Sequence, residues 1–178
     1  FLNASRVMKE TGCQAVKIES GEYSAGTVRH LVERGVPVMA HVGLRPQATH
    51  VDGGFKARGR TAAERTKALD EAAAAAEAGC FAMVVEGVAE DLAAEITRSV
   101  ACPTIGIGAS AACDGQILVT DDLLGMFERT PKFVRRFADL RGEIARAVDA
   151  FAGEVRARSF PAKAETYAFK AAQEQQPN

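Results

Sequence analysis

The chain of 178 residues lacks the features that mark several specialised classes of protein. It contains no tryptophan, and its formal net charge of -1 offers no surplus of basic residues for nucleic acid or an anionic membrane. No apolar stretch approaches the roughly 20 residues of a membrane-spanning helix. With 47% hydrophobic and 25% charged residues, the composition is that of an ordinary globular protein, so we expect neither nucleic acid nor a membrane as a partner.

Cysteine is present only in spacings that do not indicate a metal site. The four cysteines form no CxxC pair, and three of them stand at or beside predicted strand starts. In that position a cysteine behaves as a small buried hydrophobe, an interpretation that we favour over a disulfide or a metal ligand. Free thiols suit a reducing compartment, and we therefore expect a cytoplasmic location.

Four short apolar runs supply the main structural signal, at residues 13–19, 36–43, 80–87 and 103–109. Parallel strands that are buried on both faces read as continuous hydrophobic runs of this kind. Segments with helical spacing of apolar residues separate them, so helix and strand alternate along the chain. A fifth strand is predicted at residues 115–120, and a long helical region is predicted to begin at residue 130.

Repeating strand–helix units predict a parallel sheet, which is either open or closed into a barrel. Five strands cannot close an eight-stranded barrel by themselves. The chain begins at Phe1 without an initiator methionine, in a segment of helical pattern. We therefore expect that about three further units precede it, although an open sheet stays an alternative.

The polar residues at the ends of the runs indicate an enzyme. Lys17 and Glu19 end the first run, His41 lies near the end of the second, and Glu86 near the end of the third. Ligands of parallel α/β folds bind beyond the carboxyl ends of the strands. Lys17 and Glu19 could instead form a salt bridge, and His41 could be a histidine of the core. For Glu86 a purely structural role is less favourable, because burying a glutamate in a strand costs free energy.

The segment 44–60 (LRPQATHVDGGFKARGR) is the longest predicted loop. Loops longer than about 12–15 residues in a compact domain are usually functional or disordered. This one contains glycines for mobility and basic residues for anionic groups, and it follows the predicted site directly. We favour a lid or substrate-binding loop over a solvated surface excursion.

Several motifs together resemble one family. VKIESG at 16–21, AHVGLRPQ at 40–47, GGFKARGR at 53–60, VVEGV at 84–88 and IGIGAS with CDGQILV at 105–119 are similar, in this order, to those of ketopantoate hydroxymethyltransferases. The resemblance extends from about residue 1 to about residue 169. It implies a (β/α)8 barrel, of which this chain supplies about five units at residues 1–160, followed by a polar tail at 161–178.

The resemblance also implies an activity. Members of the family transfer a hydroxymethyl group from 5,10-methylenetetrahydrofolate to 3-methyl-2-oxobutanoate, giving ketopantoate for pantothenate synthesis, with Mg²⁺ chelating the keto acid. By motif match, Glu86 corresponds to the general base and Glu19 to a metal ligand. Lys17 corresponds to a residue that holds the substrate, and His41 to a neighbouring polar residue of the substrate pocket.

Some expectations limit the match. Ser110 stands where the family pattern has a glycine, and the two metal-binding aspartates of the family are expected upstream of Phe1. The resemblance implies a homo-oligomer, expected to be a decamer. Two alternatives stay open: a Mg²⁺-dependent lyase like the PEP mutases and isocitrate lyases, and a catalytically inactive fragment.

Overall fold

Five strands form one parallel sheet, in which the spatial order of the strands follows the order of the sequence. The structure, a computed structural model, describes residues 1–21, 23–54 and 56–168. The strands are β1 (Val16–Glu19), β2 (Val38–Gly43), β3 (Ala82–Glu86), β4 (Thr104–Ile107) and β5 (Gly115–Gln116). The helices are α1 (Leu2–Thr11), α2 (Ser24–Val32), α3 (Thr49–Asp52), α4 (Ala62–Glu77), α5 (Glu90–Ser99), α6 (Thr120–Leu123) and α7 (Leu140–Ala157). The four apolar runs are thus confirmed as parallel strands.

Helices cover one face of the sheet, which we call the packed face. The side chains that β2 and β3 place on this face, all buried, are Val38, Ala40, Val42, Met83 and Val85. They share one hydrophobic core with residues of three helices, α2, α4 and α5, namely Val28, Leu31, Ala68, Ala72, Ala75, Leu92, Ala93 and Ile96. Full burial of a larger aliphatic side chain contributes about 1.5–3 kcal/mol. The packed face is therefore the main source of stability for the sheet.

The sequential strand order and the one-sided helix packing are typical of a barrel wall. A doubly wound sheet reverses its strand order and has helices on both faces. In a (β/α)8 barrel the strands follow one another in sequence order and the helices form an outer ring. The chain therefore has the α/β fold that the sequence predicts, with five parallel strands that make up part of such a barrel.

The fifth strand is shorter than predicted. The ladder of β5 includes only Gly115 and Gln116, and one more backbone bond follows, in which Ile117 N donates to Gly106 O at 3.0 Å. The chain then leaves the sheet, because a short helix begins at Thr120.

The last long helix begins later than predicted, at Leu140 instead of residue 130. Backbone groups before it are used elsewhere, since Phe137 N donates to Leu123 O at 2.8 Å and Leu140 N donates to Leu124 O at 3.0 Å. The Asp139 side chain then accepts a hydrogen bond from Gly142 N and caps the helix.

The chain is organised as two compact units, Phe1–Val119 with Pro131–Val134 and Thr120–Thr130 with Arg135–Asn178. The first unit contains the sheet, and the second contains α6 and α7. The predicted division at residue 160 into a barrel domain and a tail stays a prediction, and residues 169–178 of that tail lie outside the described part. Within the described residues, none of the helices has the length and apolar character needed to traverse a bilayer.

Candidate active site

The residues predicted to form the site project from one face of the sheet. In the parallel register Glu19 is the neighbour of His41, and Gly43 is the neighbour of Glu86. Registered neighbours point to the same face, and so do residues two apart in one strand. The face opposite the packed face, which we call the site face, therefore bears Lys17, Glu19, His41 and Glu86. The structure brings these four residues together, and their chemical roles stay predictions.

His41 is fixed between two oxygen atoms. Its ring is buried, and Nε2 lies 2.8 Å from Leu44 O and 3.3 Å from Glu86 Oε2. Because a carbonyl oxygen can only accept a hydrogen bond, Nε2 carries a proton and donates it to Leu44 O. Burial lowers the pKa of His41 and the charge of Lys17 lowers it further, while the Leu44 carbonyl and Glu19 act in the opposite direction. The ring is therefore held in its neutral form, with the proton on Nε2.

Glu86 ends β3 in a largely buried position, with its side chain 16% exposed. Burial raises the pKa of its carboxyl group. Lys17 lowers that pKa, and the negative charge of Glu19 raises it. A carboxylate with a raised pKa accepts protons more readily near neutral pH, which is the property that a general base requires.

Gly43 permits the close approach of β2 and β3 beside Glu86. Its φ of +96° lies in the left-handed region, which other residues rarely adopt. A Cβ atom at this position would collide with the backbone carbonyl of Glu86 and would lie 2.7 Å from the Val88 side chain. The glycine is therefore required by the backbone next to the candidate base.

Glu19 contacts the segment that follows β2. Its Oε1 and Oε2 lie 3.2 and 3.3 Å from Gln47 N, which donates to the carboxylate. Gln47 belongs to a short 3-10 helix, Pro46–Ala48, and α3 follows it directly. The predicted loop at 44–60 is thus partly helical. Sequence reasoning missed Gln47 and Leu44 as partners of site residues because each contributes a backbone group, for which the residue type carries no signal.

The far end of this segment is also attached to the sheet edge. Arg58 N donates to Gly87 O at 2.8 Å, and Ala89 N donates to Arg58 O at 3.0 Å. These bonds place Arg58 in a parallel bridge with Val88, just beyond β3. The segment therefore lies along the C-terminal edge of the sheet, and whether it closes over a substrate stays a prediction.

A small cavity lies between this segment and α4. Its lining consists of Gly43, Arg45, Arg58, Glu64, Lys67, Ala68 and Glu71. Of the basic loop residues predicted to meet anionic groups, Arg45 and Arg58 reach this cavity. The carboxylates of Glu64 and Glu71 offset much of the positive charge there, so the cavity is not a strongly cationic site.

The described residues supply part of a magnesium site at most. Mg²⁺ prefers oxygen ligands in near-octahedral geometry, and Glu19 offers a carboxylate at the edge where such an ion would meet a substrate. Across residues 1–21, 23–54 and 56–168, no group of three or more His, Cys, Asp and Glu side chains could hold a metal ion. Glu19 thus fits as one ligand, and the described residues do not complete the site.

Comparisons with known proteins agree with these observations. The family model described as ketopantoate hydroxymethyltransferase matches residues 1–163. A 3-methyl-2-oxobutanoate hydroxymethyltransferase of Hyphomonas neptunium is 67% identical over 170 residues, covering 96% of this chain and 62% of the relative. The enzymes of the same name from Phenylobacterium zucineum and Caulobacter vibrioides are 66% and 65% identical, over 95% and 94% of this chain. The chain thus spans about 62% of the length of these relatives.

Among solved structures, the chain is similar to a putative lyase/mutase from Burkholderia cenocepacia. The sequence identity is 18% and the TM-score is 0.40, with 89% of this chain and 56% of the other covered. A likeness of this degree adds nothing to the assignment of fold or function.

Proposed function

The chain belongs to the ketopantoate hydroxymethyltransferase family, and on this premise we propose that the protein transfers a hydroxymethyl group to 3-methyl-2-oxobutanoate. The one-carbon donor is 5,10-methylenetetrahydrofolate, and the product is 2-dehydropantoate, a precursor for pantothenate synthesis. The proposal depends on one observation above all. Glu86 lies at the C-terminal edge of the sheet, on the same face as Lys17 and Glu19, with a carboxyl pKa that burial raises.

Glu86 acts as the base for C3 of the keto acid. One of its carboxylate oxygens takes the C3 proton, and the electron pair of the C3–H bond forms a C2–C3 double bond in the resulting enolate. Hydrolysis of the folate donor consumes one water molecule, breaks both C–N bonds of the one-carbon unit and releases it as formaldehyde, with tetrahydrofolate as the other product. C3 of the enolate then adds to the formaldehyde carbon while the keto group re-forms at C2, and the formaldehyde oxygen takes up the proton held by Glu86 to become the new hydroxyl group. A base is most effective when its pKa lies near the working pH, so the raised pKa of Glu86 suits this step.

His41 is a positioning residue for that carboxylate. Its Nε2 is held by the Leu44 carbonyl and lies 3.3 Å from Glu86 Oε2. A neutral imidazole orients the carboxylate without adding a positive charge, which would lower the pKa of Glu86. The side chain of His41 is only 2% exposed, and this favours positioning over direct contact with the substrate.

Lys17 binds the negative charge of the substrate. It is exposed on the site face, two residues before Glu19, and its charge reaches both His41 and Glu86. An ammonium group fixed at this edge stabilises a carboxylate, and it also stabilises the oxyanion that develops when C3 loses its proton.

Glu19 would supply one oxygen ligand to Mg²⁺. The bound ion would polarise the keto group as a Lewis acid. A carboxylate has lone pairs for about four contacts, so Glu19 can retain the hydrogen bond from Gln47 N while it coordinates an ion. With an ion bound, the same carboxylate would connect the metal site with the segment that lies along the sheet edge.

We further propose a cytoplasmic homo-oligomer, expected to be a decamer. The support is on α7, whose apolar side chains at helical spacing are exposed, at Ile144, Val148, Phe151 and Val155. Exposed stripes of this size on a soluble protein commonly mark protein–protein contacts. Light scattering on the purified protein measures its molar mass and hence its oligomeric state. A strictly monomeric species would contradict this part of the proposal.

The test of Glu86 is proton exchange at C3 of 3-methyl-2-oxobutanoate in D₂O, followed by NMR with Mg²⁺ and without folate. For the full-length protein we expect exchange, and for Glu86→Gln we expect a rate about 10²–10⁴-fold lower. The control is Glu90→Gln, which removes an exposed carboxylate from the first turn of α5 and should leave the rate unchanged.

Three results would contradict the proposal. Exchange in Glu86→Gln near the wild-type rate would remove Glu86 from the base role. If the protein catalyses C3 proton exchange but also cleaves oxaloacetate-like acids without folate, the lyase alternative would be favoured. Absence of exchange in the wild-type protein would indicate that it is catalytically inactive.

A further inference from the structure

Two thiols lie in contact at the end of the sheet that is remote from the site. The Sγ atoms of Cys80 and Cys102 are 3.8 Å apart, and both cysteines are free. Cys80 lies two residues before β3, and Cys102 lies two residues before β4. The sequence predicts each of them as a small buried hydrophobe, but it does not show that neighbouring strands place them side by side.

The short distance between the two sulfur atoms favours a bond between these thiols. β3 and β4 are directly paired, with Met83 beside Thr104, so this register continued backwards leaves Cys80 and Cys102 one residue out of step. A disulfide accommodates Cα atoms about 4.4–6.8 Å apart and requires the sulfur atoms to approach to about 2.05 Å. The two sulfur atoms, which lie 3.8 Å apart, would therefore have to approach by roughly a further 1.8 Å.

We propose that Cys80 and Cys102 are a site of reversible oxidation, at which hydrogen peroxide converts the two thiols into a disulfide. Cys102 reacts first, because it is partly exposed whereas Cys80 is buried. Its thiolate attacks one peroxide oxygen and the O–O bond breaks, which leaves a sulfenic acid on Cys102 and releases water once a proton is taken up.

Cys80 then resolves the sulfenic acid. The Cys80 sulfur attacks the Cys102 sulfur, the S–O bond breaks, and the departing hydroxyl leaves as water with the Cys80 proton. In total, two thiols and one hydrogen peroxide give one disulfide and two water molecules. Burial raises the pKa of the Cys80 thiol to about 12, so Cys80 is a poor nucleophile towards free peroxide and must lose its proton as it attacks the oxidised neighbour.

The position of the pair decides the consequence of oxidation. From Cys80 to Glu86 the chain runs along β3 for six residues, or roughly 20 Å at the rise of a strand. The bond would join two residues that are 22 positions apart in the sequence, and it would tie the start of β3 to the start of β4. It should therefore raise the melting temperature and leave the chemistry at the opposite edge within about twofold, since no site residue moves.

The test is peptide mapping of the reduced protein after treatment with hydrogen peroxide and alkylation of the remaining thiols. Trypsin places Cys80 in the peptide 68–98 and Cys102 in the peptide 99–129. We expect the two peptides to appear linked, with a mass about 2 Da below their sum, and fragmentation to assign the bond to Cys102 and not to Cys113. Dithiothreitol should separate them and lower the melting temperature again.

Matched variants complete the test. Cys102→Ser should reduce the linked product at least about tenfold, whereas Cys13→Ser, which alters another partly buried cysteine before a strand, should leave it unchanged. Two results would overturn the proposal. One is a disulfide that maps to Cys113. The other is wild-type protein in which Cys80 and Cys102 are both alkylated, and therefore still reduced, although the other cysteines have been oxidised. The wild-type map answers the question even if Cys102→Ser does not fold, and none of these results depends on the proposed function.

Discussion

The packed face and the site face of the sheet differ in the side chains that they carry. On the packed face, β2 and β3 contribute valine, alanine and methionine, and every one of these side chains is buried against helices. On the site face the same strands carry His41 and Glu86, which contact each other and whose pKa values are both shifted. Because successive side chains of a strand point to opposite faces, neighbouring residues of β2 and β3 can contribute one to the core and the next to the candidate site.

This contrast has a consequence for how substitutions act. Loss of a buried apolar side chain leaves a cavity and lowers the free energy of unfolding. Loss of a polar group from the site face removes a charge or a hydrogen bond and leaves the helix layer intact. The two faces should consequently separate into positions that control stability and positions that control chemistry.

The largest effect should come from the packed face. Met83 is fully buried in β3, and Met83→Ala should lower the free energy of unfolding by about 2–5 kcal/mol. Its matched control is Met39→Ala, because Met39 is only half-buried and lies on the site face of β2, in register with Lys17. Met39→Ala should cost less than about 1 kcal/mol. Urea unfolding measures both, and equal losses would contradict the functional division between the two faces.

That division was largely predictable from the sequence. The apolar runs fixed four strands, and the two-residue period within them placed Lys17 and Glu19 on one face. The parallel pairing of the strands places His41 and Glu86 at the same edge of the sheet as these two residues, because the carboxyl ends of parallel strands coincide. Each of these steps depends on local patterns that the chain carries residue by residue.

The rest depends on contacts that no local pattern encodes. The hydrogen bond from His41 to Leu44 O and that from Gln47 N to Glu19 use backbone groups, which nearly every residue type offers. The late start of α7 depends on bonds between distant backbone groups. The contact of Cys80 with Cys102 depends on β3 and β4 being neighbours in the sheet, which is decided by packing and not by the spacing of two cysteines.

A smaller effect should follow from removal of the carboxylate at Glu19. In the full-length protein Glu19→Gln should weaken Mg²⁺ binding about 10–100-fold, because a neutral amide replaces a charged oxygen ligand. Isothermal titration with Mg²⁺ measures the affinity, and Glu90→Gln on the surface of α5 is the control. The melting temperature should change little, since Glu19 lies outside the packed face. An unchanged Mg²⁺ affinity would show that Glu19 is not a metal ligand, and its hydrogen bond from Gln47 N would then be its remaining role.

The smallest effect should be a change in how stability depends on pH. The pKa of His41 lies below its ordinary value of 6.5, chiefly because the ring is buried. On acidification the unfolded chain therefore binds this proton before the folded protein does. The free energy of unfolding falls as the pH drops through 6.5 towards the lower pKa of the folded state. Glu86 acts with the opposite sign, because its raised pKa lets the folded protein bind a proton first as the pH falls towards 4.5.

Comparison with His41→Gln separates these two contributions. Glutamine can still donate a hydrogen bond to Leu44 O, but it does not titrate, so the variant retains the contribution of Glu86 and loses that of His41. The difference in unfolding free energy, wild type minus variant, should therefore decrease from about pH 7.5 to about pH 5. A flat curve for His41→Gln would mean that the ring is protonated as easily in the folded protein as in the unfolded chain. The proposed role of His41 as a neutral positioning residue would then have no basis.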